Sequence, residues 1–137
     1  MRFDLHPFKD IEAARSWARS EIDAGASAAR GRYITITAGQ DSAYQAKYAD
    51  ALAFRRVGYP EIDAEQYPWI KNEADATGAH IRNTADGILA AGAPWNVVIG
   101  PRIEALRIGG KSSLDSMDSI SAVVCHTRNV CQSLEIA

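Results

Sequence analysis

The chain has 137 residues, of which 47% are hydrophobic and 23% are charged, and its formal net charge is −2. These values are typical of a folded globular protein and exclude a disordered chain. They also argue against a nucleic-acid-binding protein, since such a protein needs a basic surface. A chain of this length usually forms one domain, so we expect a single helical domain over residues 1–137.

The sequence contains no segment that predicts a membrane span or an export signal. Its longest apolar run, Ile88–Ile99, is interrupted by Gly92 and Pro94. The run is shorter than the roughly 20 residues that a membrane helix requires. Within the first eight residues, Asp4 and His6 stand where a signal peptide needs an uninterrupted apolar core. We therefore expect a protein that is made in a cytoplasm.

The first predicted element is an amphipathic helix over residues 10–32, with Asp10 as its N-cap. Small and apolar residues recur along it at steps of three and four: Ile11, Ala14, Ala18, Ile22, Gly25, Ala29 and Tyr33. Because most of them are alanine or glycine, another helix can approach this face closely. The sequence therefore predicts a helical partner for it.

The segment that follows is ambiguous. Residues 33–37 form a run of aromatic and β-branched residues in which apolar and polar side chains alternate. This pattern fits either one short strand or an extended connector. The next helix is predicted over residues 41–57, capped by Asp41 or Ser42 and ended at Gly58. Its predicted inward face consists of Tyr44, Tyr48, Ala51 and Arg55, flanked by Leu52 and Phe54.

Two Tyr-Pro pairs, at residues 59–60 and 67–68, bound a loop, because a residue before proline is disfavoured in the α conformation. Pro68 suits the first turn of a short helix that ends near Gly78. Trp69 in that helix either packs at the edge of the core or contacts a partner.

Residues 80–110 carry a near-heptad pattern, which indicates a long helical segment of the bundle or coiled-coil type. We call the residues of this pattern the apolar seam: Ile81, Ala85, Ile88, Gly92, Trp95, Ile99, Ile103, Leu106 and Gly110. Pro94 and Pro101 predict kinks or restarts, and Gly109-Gly110 predicts the end of the run. Helices are thus expected at about 68–110.

A last helix is predicted at about 116–134, with Ser116 or Asp118 as its N-cap. The apolar residues expected on its inward face are Ile120, Val123, Val124, Val130 and Leu134.

Motifs that carry chemistry are absent from the sequence. Gly109–Ser113 only faintly resembles a phosphate-binding loop and is better explained as a turn. Cys125 and Cys131 are expected to be small buried residues, and a helix would hold them too far apart in rotation for a disulfide. The three histidines are expected at caps or on the surface, and Glu61, Asp63 and Glu65 in a solvated loop. We therefore expect no catalytic residue, no cofactor and no metal.

Two segments of the sequence carry a family pattern. The first comprises Arg32–Thr35, Ala38–Asp41, Tyr44, Ala46-Lys47 and Ala49–Ala51. The second comprises Tyr67–Ile70, Glu73-Ala74, Ala76–Gly78, Ala85, Ile88–Ala90 and Trp95. Together they resemble a helical domain that recurs in small tail-associated proteins of tailed bacteriophages and prophages, and the resemblance covers about residues 30–110. Pro94, Pro101 and Gly109-Gly110 depart from the family pattern, which continues as an alanine-rich helix.

The resemblance implies a non-enzymatic virion protein of the tail or tail fibre, made in a host bacterium. Its partners would be copies of itself, for example in a trimer, and other tail, fibre or baseplate proteins. The alternatives are a tail-fibre assembly chaperone that is absent from the mature particle, and a helical enzyme or small-molecule-binding protein with a dispersed site. The candidate interface residues are Ile11, Ala14, Ala18, Ile22, Trp69, Ile88, Trp95, Ile99, Ile103 and Leu106.

Overall fold

The structure, a computed structural model, describes residues 8–33 and 40–137, and these ranges contain six α-helices. The helices are α1 (Ile11–Gly31), α2 (Gln40–Arg56), α3 (Pro68–Thr77), α4 (Ile81–Ala93), α5 (Gly100–Ser112) and α6 (Ile120–Glu135). The described ranges contain no strand, which confirms the prediction of a mainly α fold. The predicted strand or connector at residues 33–37 lies, beyond Tyr33, outside the described residues.

Several predicted helix ends are confirmed by their cap geometry. The Asp10 side chain accepts a hydrogen bond of 2.8 Å from the backbone N–H of Ala13. Gly58 and Gly78 follow α2 and α3 with φ angles of 87° and 74°, which glycine adopts without steric cost. Pro68 occupies the first turn of α3, where its missing N–H removes no helical hydrogen bond.

The predicted starts of two helices are displaced by a few residues. Helix α6 is capped by Ser119, whose hydroxyl accepts a 3.0 Å hydrogen bond from Ala122 N–H, rather than by Ser116 or Asp118. Ser116 is already part of a 3₁₀ turn, Leu114–Ser116, so it lacks the extended backbone that an N-cap needs. Helix α2 begins at Gln40, so the predicted caps Asp41 and Ser42 fall inside it.

Pro94 and Pro101 lie between residues of the apolar seam, but they do not interrupt the helical backbone between Ile81 and Ser112. Pro94 starts a π-helical segment, Pro94–Ile99, that joins α4 to α5. Pro101 lies in the first turn of α5. Each proline therefore lies at a junction between helical segments, where the lack of a backbone N–H disturbs the hydrogen bonding least. The prediction that Gly109-Gly110 ends the run, or forms a turn, is wrong, because α5 continues through both residues to Ser112.

The chain divides into two compact units, Met1–Tyr33 with Ile99–Ala137 (unit 1) and Ile34–Val98 (unit 2). In unit 1, the small face of α1 packs mainly against α6 and α5. Its core residues are Ala14, Ala18, Ile22, Leu114 and Val123, all fully buried. The helical partner predicted for the small face of α1 thus belongs to the chain itself.

Arg15 of α1 anchors the 3₁₀ turn of unit 1. Its Nε donates to the carbonyl of Leu114 at 3.1 Å, and its Nη2 donates to the carbonyl of Met117 at 2.7 Å. A guanidinium can satisfy several carbonyls at once because its donors form a planar fork. Arg15 therefore holds the connection between α5 and α6 against α1.

In unit 2, the core is built around the aromatic ring of Phe54. This ring makes edge contacts with Tyr59 and Tyr67, at centroid distances of 5.7 Å and 5.2 Å. The buried members of this core are Ala51, Phe54, Ile70, Ala85 and Leu89. The predicted inward face of α2 is therefore partly wrong, since Tyr44 and Arg55 are exposed while Phe54 points inward.

Candidate functional site: an exposed apolar set and a pocket in unit 2

Most of the candidate interface residues are covered within the chain itself. In unit 1, Ala14, Ala18, Ile22 and Ile103 are fully buried. Five others are partly buried: Ile11, Ile88, Trp95, Ile99 and Leu106. Among the ten, Trp69 is the one with an exposed side chain, at 48% of its full accessible surface. The small face of α1 and the apolar seam thus contribute mainly to the chain's own packing.

Among the side chains that the structure describes, most of the large apolar ones that are exposed belong to unit 2. Large hydrophobic residues exposed there are Tyr44, Val57, Ile62, Trp69, Val97 and Val98, whereas unit 1 has Tyr33, Ile108 and Ile136. We call the six residues of unit 2 the exposed apolar set. Such residues are candidates for contact with a partner, because covering them removes apolar surface from water.

Unit 2 also contains an open pocket of about 430 Å³, which sequence reasoning did not find. The residues that line it come from α2, α4, the π-helical segment and the turn after α2: Tyr48, Arg55, Tyr59, Asp86, Leu89, Ala90, Ala93 and Val97. Its polar groups are brought together from positions about 30 residues apart. No local spacing in the sequence marks them as a group.

Tyr59 is the most constrained residue of this pocket. Its hydroxyl donates a 2.6 Å hydrogen bond to Asp86 Oδ1, and the Arg82 guanidinium lies 4.2 Å from the centroid of its ring. The hydrogen bond to Asp86 raises the pKa of Tyr59, assisted by burial, so the phenol keeps its proton at neutral pH. These contacts fix the tyrosine ring along one side of the pocket.

The backbone of Tyr59 is held in a conformation that bulky residues rarely adopt. Its φ angle is 59°, directly after the left-handed Gly58. The Tyr59 N–H donates to the Phe54 carbonyl at 3.0 Å, a bond of the kind that closes a helix C-terminus. The helix end, the Phe54 ring and Asp86 together impose this conformation.

Arg55 lies in the last turn of α2 and lines the same pocket. It forms no hydrogen bond or ion pair with any residue within 8–33 or 40–137. Asp86, the carboxylate of the pocket, is instead engaged by Tyr59. The pocket therefore combines one cation that lacks a bonded partner in the described chain with apolar walls.

The three histidines were also considered in the sequence analysis, and two of them can be placed in the structure. His80 caps α4, because its Nδ1 accepts from the Arg82 N–H at 3.2 Å, and its Nε2 lies 3.1 Å from Glu61. His126 Nε2 lies 2.8 Å from the carbonyl of Gly110. His6 lies outside the described residues. His80 is thus a cap, as expected. His126 instead is partly buried in the middle of α6 and contacts the backbone of α5, so the expectation of a cap or surface position is wrong for it.

The acidic and cysteine residues differ in part from expectation. Glu61, Asp63 and Glu65 lie in a 3₁₀ helix, Glu61–Gln66, rather than in a loop. Cys125 is exposed and Cys131 is partly buried, so the expectation that both are buried is wrong. Both are free thiols. No group of three metal-ligating side chains occurs within the described ranges, and none of the helices described there is long and apolar enough to cross a membrane.

No family model matches the chain, and neither a curated protein nor a solved structure is similar to it.

Proposed function

We propose that the chain is a non-enzymatic structural protein of a bacteriophage tail or tail fibre, and that it acts by packing against copies of itself and other tail, fibre or baseplate proteins. The observation that carries this proposal is the exposed apolar set of unit 2. Unit 2 falls within residues 30–110, the interval that resembles tail-associated proteins. The class of assembly rests on that resemblance.

The distribution of buried residues supports a partner contact through unit 2. A partner cannot use Ala14, Ala18, Ile22 or Ile103 without unfolding unit 1, since their side chains are already buried. Trp69 and Val97 remain accessible, at 48% and 64%. A large aromatic ring near the centre of an interface contributes strongly to binding. We therefore assign the partner contact to these side chains rather than to the apolar seam.

Light scattering on the purified chain, with a pull-down against the tail proteins encoded beside it, tests this assignment. We expect an oligomer or a stable complex that Trp69→Ser or Val97→Ser weakens at least tenfold, since each removes apolar contact area. Ile136→Ser is the matched control, because Ile136 is 82% exposed but belongs to unit 1. A strictly monomeric chain that captures none of these proteins would contradict the proposal.

The alternative within the same class is an assembly chaperone that helps a tail fibre form and then leaves. It would use the same exposed side chains, but its complex would be transient. A chaperone should copurify with the unassembled fibre protein and be absent from the mature particle, whereas a structural protein should be present in both.

A further inference from the structure

The pocket of unit 2 has the size and the walls of a small-molecule site. Its volume of about 430 Å³ lies in the range of ligand pockets, which is roughly 300–1,000 Å³. Leu89 supplies a buried aliphatic wall, and Ala93 and Val97 add to the apolar part of the lining. Water in contact with these side chains would be released by an apolar ligand.

The lining of the pocket offers one guanidinium group to an anion. Its charged residues are Arg55 and Asp86, and the Asp86 carboxylate already accepts a hydrogen bond from the Tyr59 hydroxyl. The Arg82 guanidinium lies over the ring of Tyr59. Arg55 is therefore the cation at the pocket whose N–H groups donate to no other residue of the described ranges.

The polar side of the pocket is preorganised. The positive φ of Tyr59, its hydrogen bond to Asp86 and its edge contact with Phe54 fix the ring without any ligand. A ligand would therefore order few side chains besides Arg55 on binding, which lowers the entropic cost of binding.

We infer that this pocket binds a small monoanion with an apolar tail, of the alkanoate class, whose carboxylate pairs with Arg55 and whose tail lies against Leu89, Ala93 and Val97. The fork of a guanidinium matches a carboxylate, and the resulting charge-assisted hydrogen bonds orient the head group. The unit charge of the head pairs with the one guanidinium group of the lining, and the tail covers an apolar surface that water otherwise contacts. The argument for this site does not use the proposed tail function, although Val97 belongs both to the exposed apolar set and to the pocket lining.

Isothermal titration of the full chain with octanoate tests the inference. We expect saturable binding at one molecule per chain, with 1-octanol and octylammonium binding at least tenfold more weakly because they lack the anionic head. Arg55→Gln should weaken octanoate binding about tenfold and leave the weak binding of 1-octanol unchanged.

Arg56→Gln is the matched control for charge. Arg56 is the adjacent exposed arginine of α2, but it does not line the pocket. Its substitution should change octanoate binding by less than twofold. Ala93→Leu provides a second test that leaves Arg55 intact, since it fills the pocket and should abolish binding while circular dichroism confirms the helical fold.

Three results would overturn the inference. The first is no saturation by octanoate, and the second is uptake of several molecules per chain, which would indicate adsorption to exposed apolar surface. The third is an equal loss in the Arg55→Gln and Arg56→Gln variants, which would indicate attraction by charge alone.

Discussion

The Asp50 carboxylate in the middle of α2 caps the N-terminus of α3, where it accepts hydrogen bonds from the backbone N–H groups of Trp69 at 2.8 Å and Ile70 at 3.3 Å. The residue at the usual capping position, Tyr67, provides no side-chain hydrogen bond. The cap of α3 thus comes from a different helix, and one carboxylate joins two helices of unit 2.

Replacement of Asp50 should destabilise unit 2. We expect Asp50→Ala to lower the free energy of unfolding by about 1–2 kcal/mol, the usual cost of a lost N-cap. Asp50→Asn should lose less, since its amide oxygen can still accept from these N–H groups. Chemical denaturation measures both, with Gln45→Ala, an exposed position on α2, as control. Equal stability of Asp50→Ala and Gln45→Ala would show that the cap contributes nothing.

Two adjacent glycines of α5 should respond to alanine in opposite directions. A Cβ atom at Gly110 would lie 2.8 Å from Val130 Cγ1, whereas a Cβ at Gly109 would meet nothing within 4 Å. Gly110→Ala should therefore destabilise unit 1 by about 1–3 kcal/mol, the typical cost of overpacking. Gly109→Ala should stabilise it by up to about 1 kcal/mol through helix propensity. Thermal melts compare the two, and a shift in the same direction for both would contradict the close approach of α5 and α6.

Acid should destabilise unit 1 through Asp23. Its carboxylate contacts Lys111 Nζ at 2.9 Å and Arg107 Nη1 at 3.1 Å. These partners, Lys111 first, hold the pKa of Asp23 below its ordinary value. Because the folded-state pKa is depressed, the stabilisation is present above the unfolded-state pKa and is lost as pH falls through the folded-state pKa. Unfolding titrations should show stability beginning to fall as the pH approaches the ordinary aspartate pKa of about 3.9 and falling further below it.

The variant Asp23→Asn isolates this contribution. It should lower stability at pH 7 and flatten the acid limb of the profile. Asp118→Asn is the control, because Asp118 makes no ion pair with any residue of the described ranges. If the loss of stability at acidic pH is the same in Asp23→Asn as in the unmodified chain, the pH dependence comes from other carboxylates.

The two thiols should differ in reactivity. Cys125 is exposed, whereas Cys131 is partly buried, and this burial, aided by Glu21 and Glu135, raises the pKa of the Cys131 thiol. The thiolate is the reactive form, so Cys131 should react more slowly with a disulfide reagent at neutral pH. Rates for Cys125→Ser and Cys131→Ser variants separate the two sites. A faster reaction at Cys131 would contradict its placement.

Local signals in the sequence predicted the helices well. Asp10, Gly58, Pro68 and Gly78 each act on residues within one turn, so their effects can be recognised from the neighbouring sequence. The caps and anchors that depend on tertiary structure could not be predicted. Asp50 bonds residues 19 and 20 positions away, and Arg15 bonds Leu114 at a separation of 99 residues.

The errors of prediction have a common physical origin. Gly109-Gly110 was expected to end a helix because glycine is a weak helix former. In the structure, Gly110 lies against Val130 of α6, where a side chain would clash. Packing between helices therefore overrides propensity at this position. The pocket was missed for a similar reason, since Arg55, Tyr59 and Asp86 meet only after α2 and α4 have packed together.

We propose a tail structural protein, and the most direct test of that claim is the copy number of this chain in purified phage particles from the source of the sequence, measured by quantitative mass spectrometry with isotope-labelled peptides. A tail structural protein should be present at a fixed ratio to the major tail proteins, and the ratio should survive repeated density-gradient purification. Absence of the chain from intact, infectious particles would contradict a structural role in the virion.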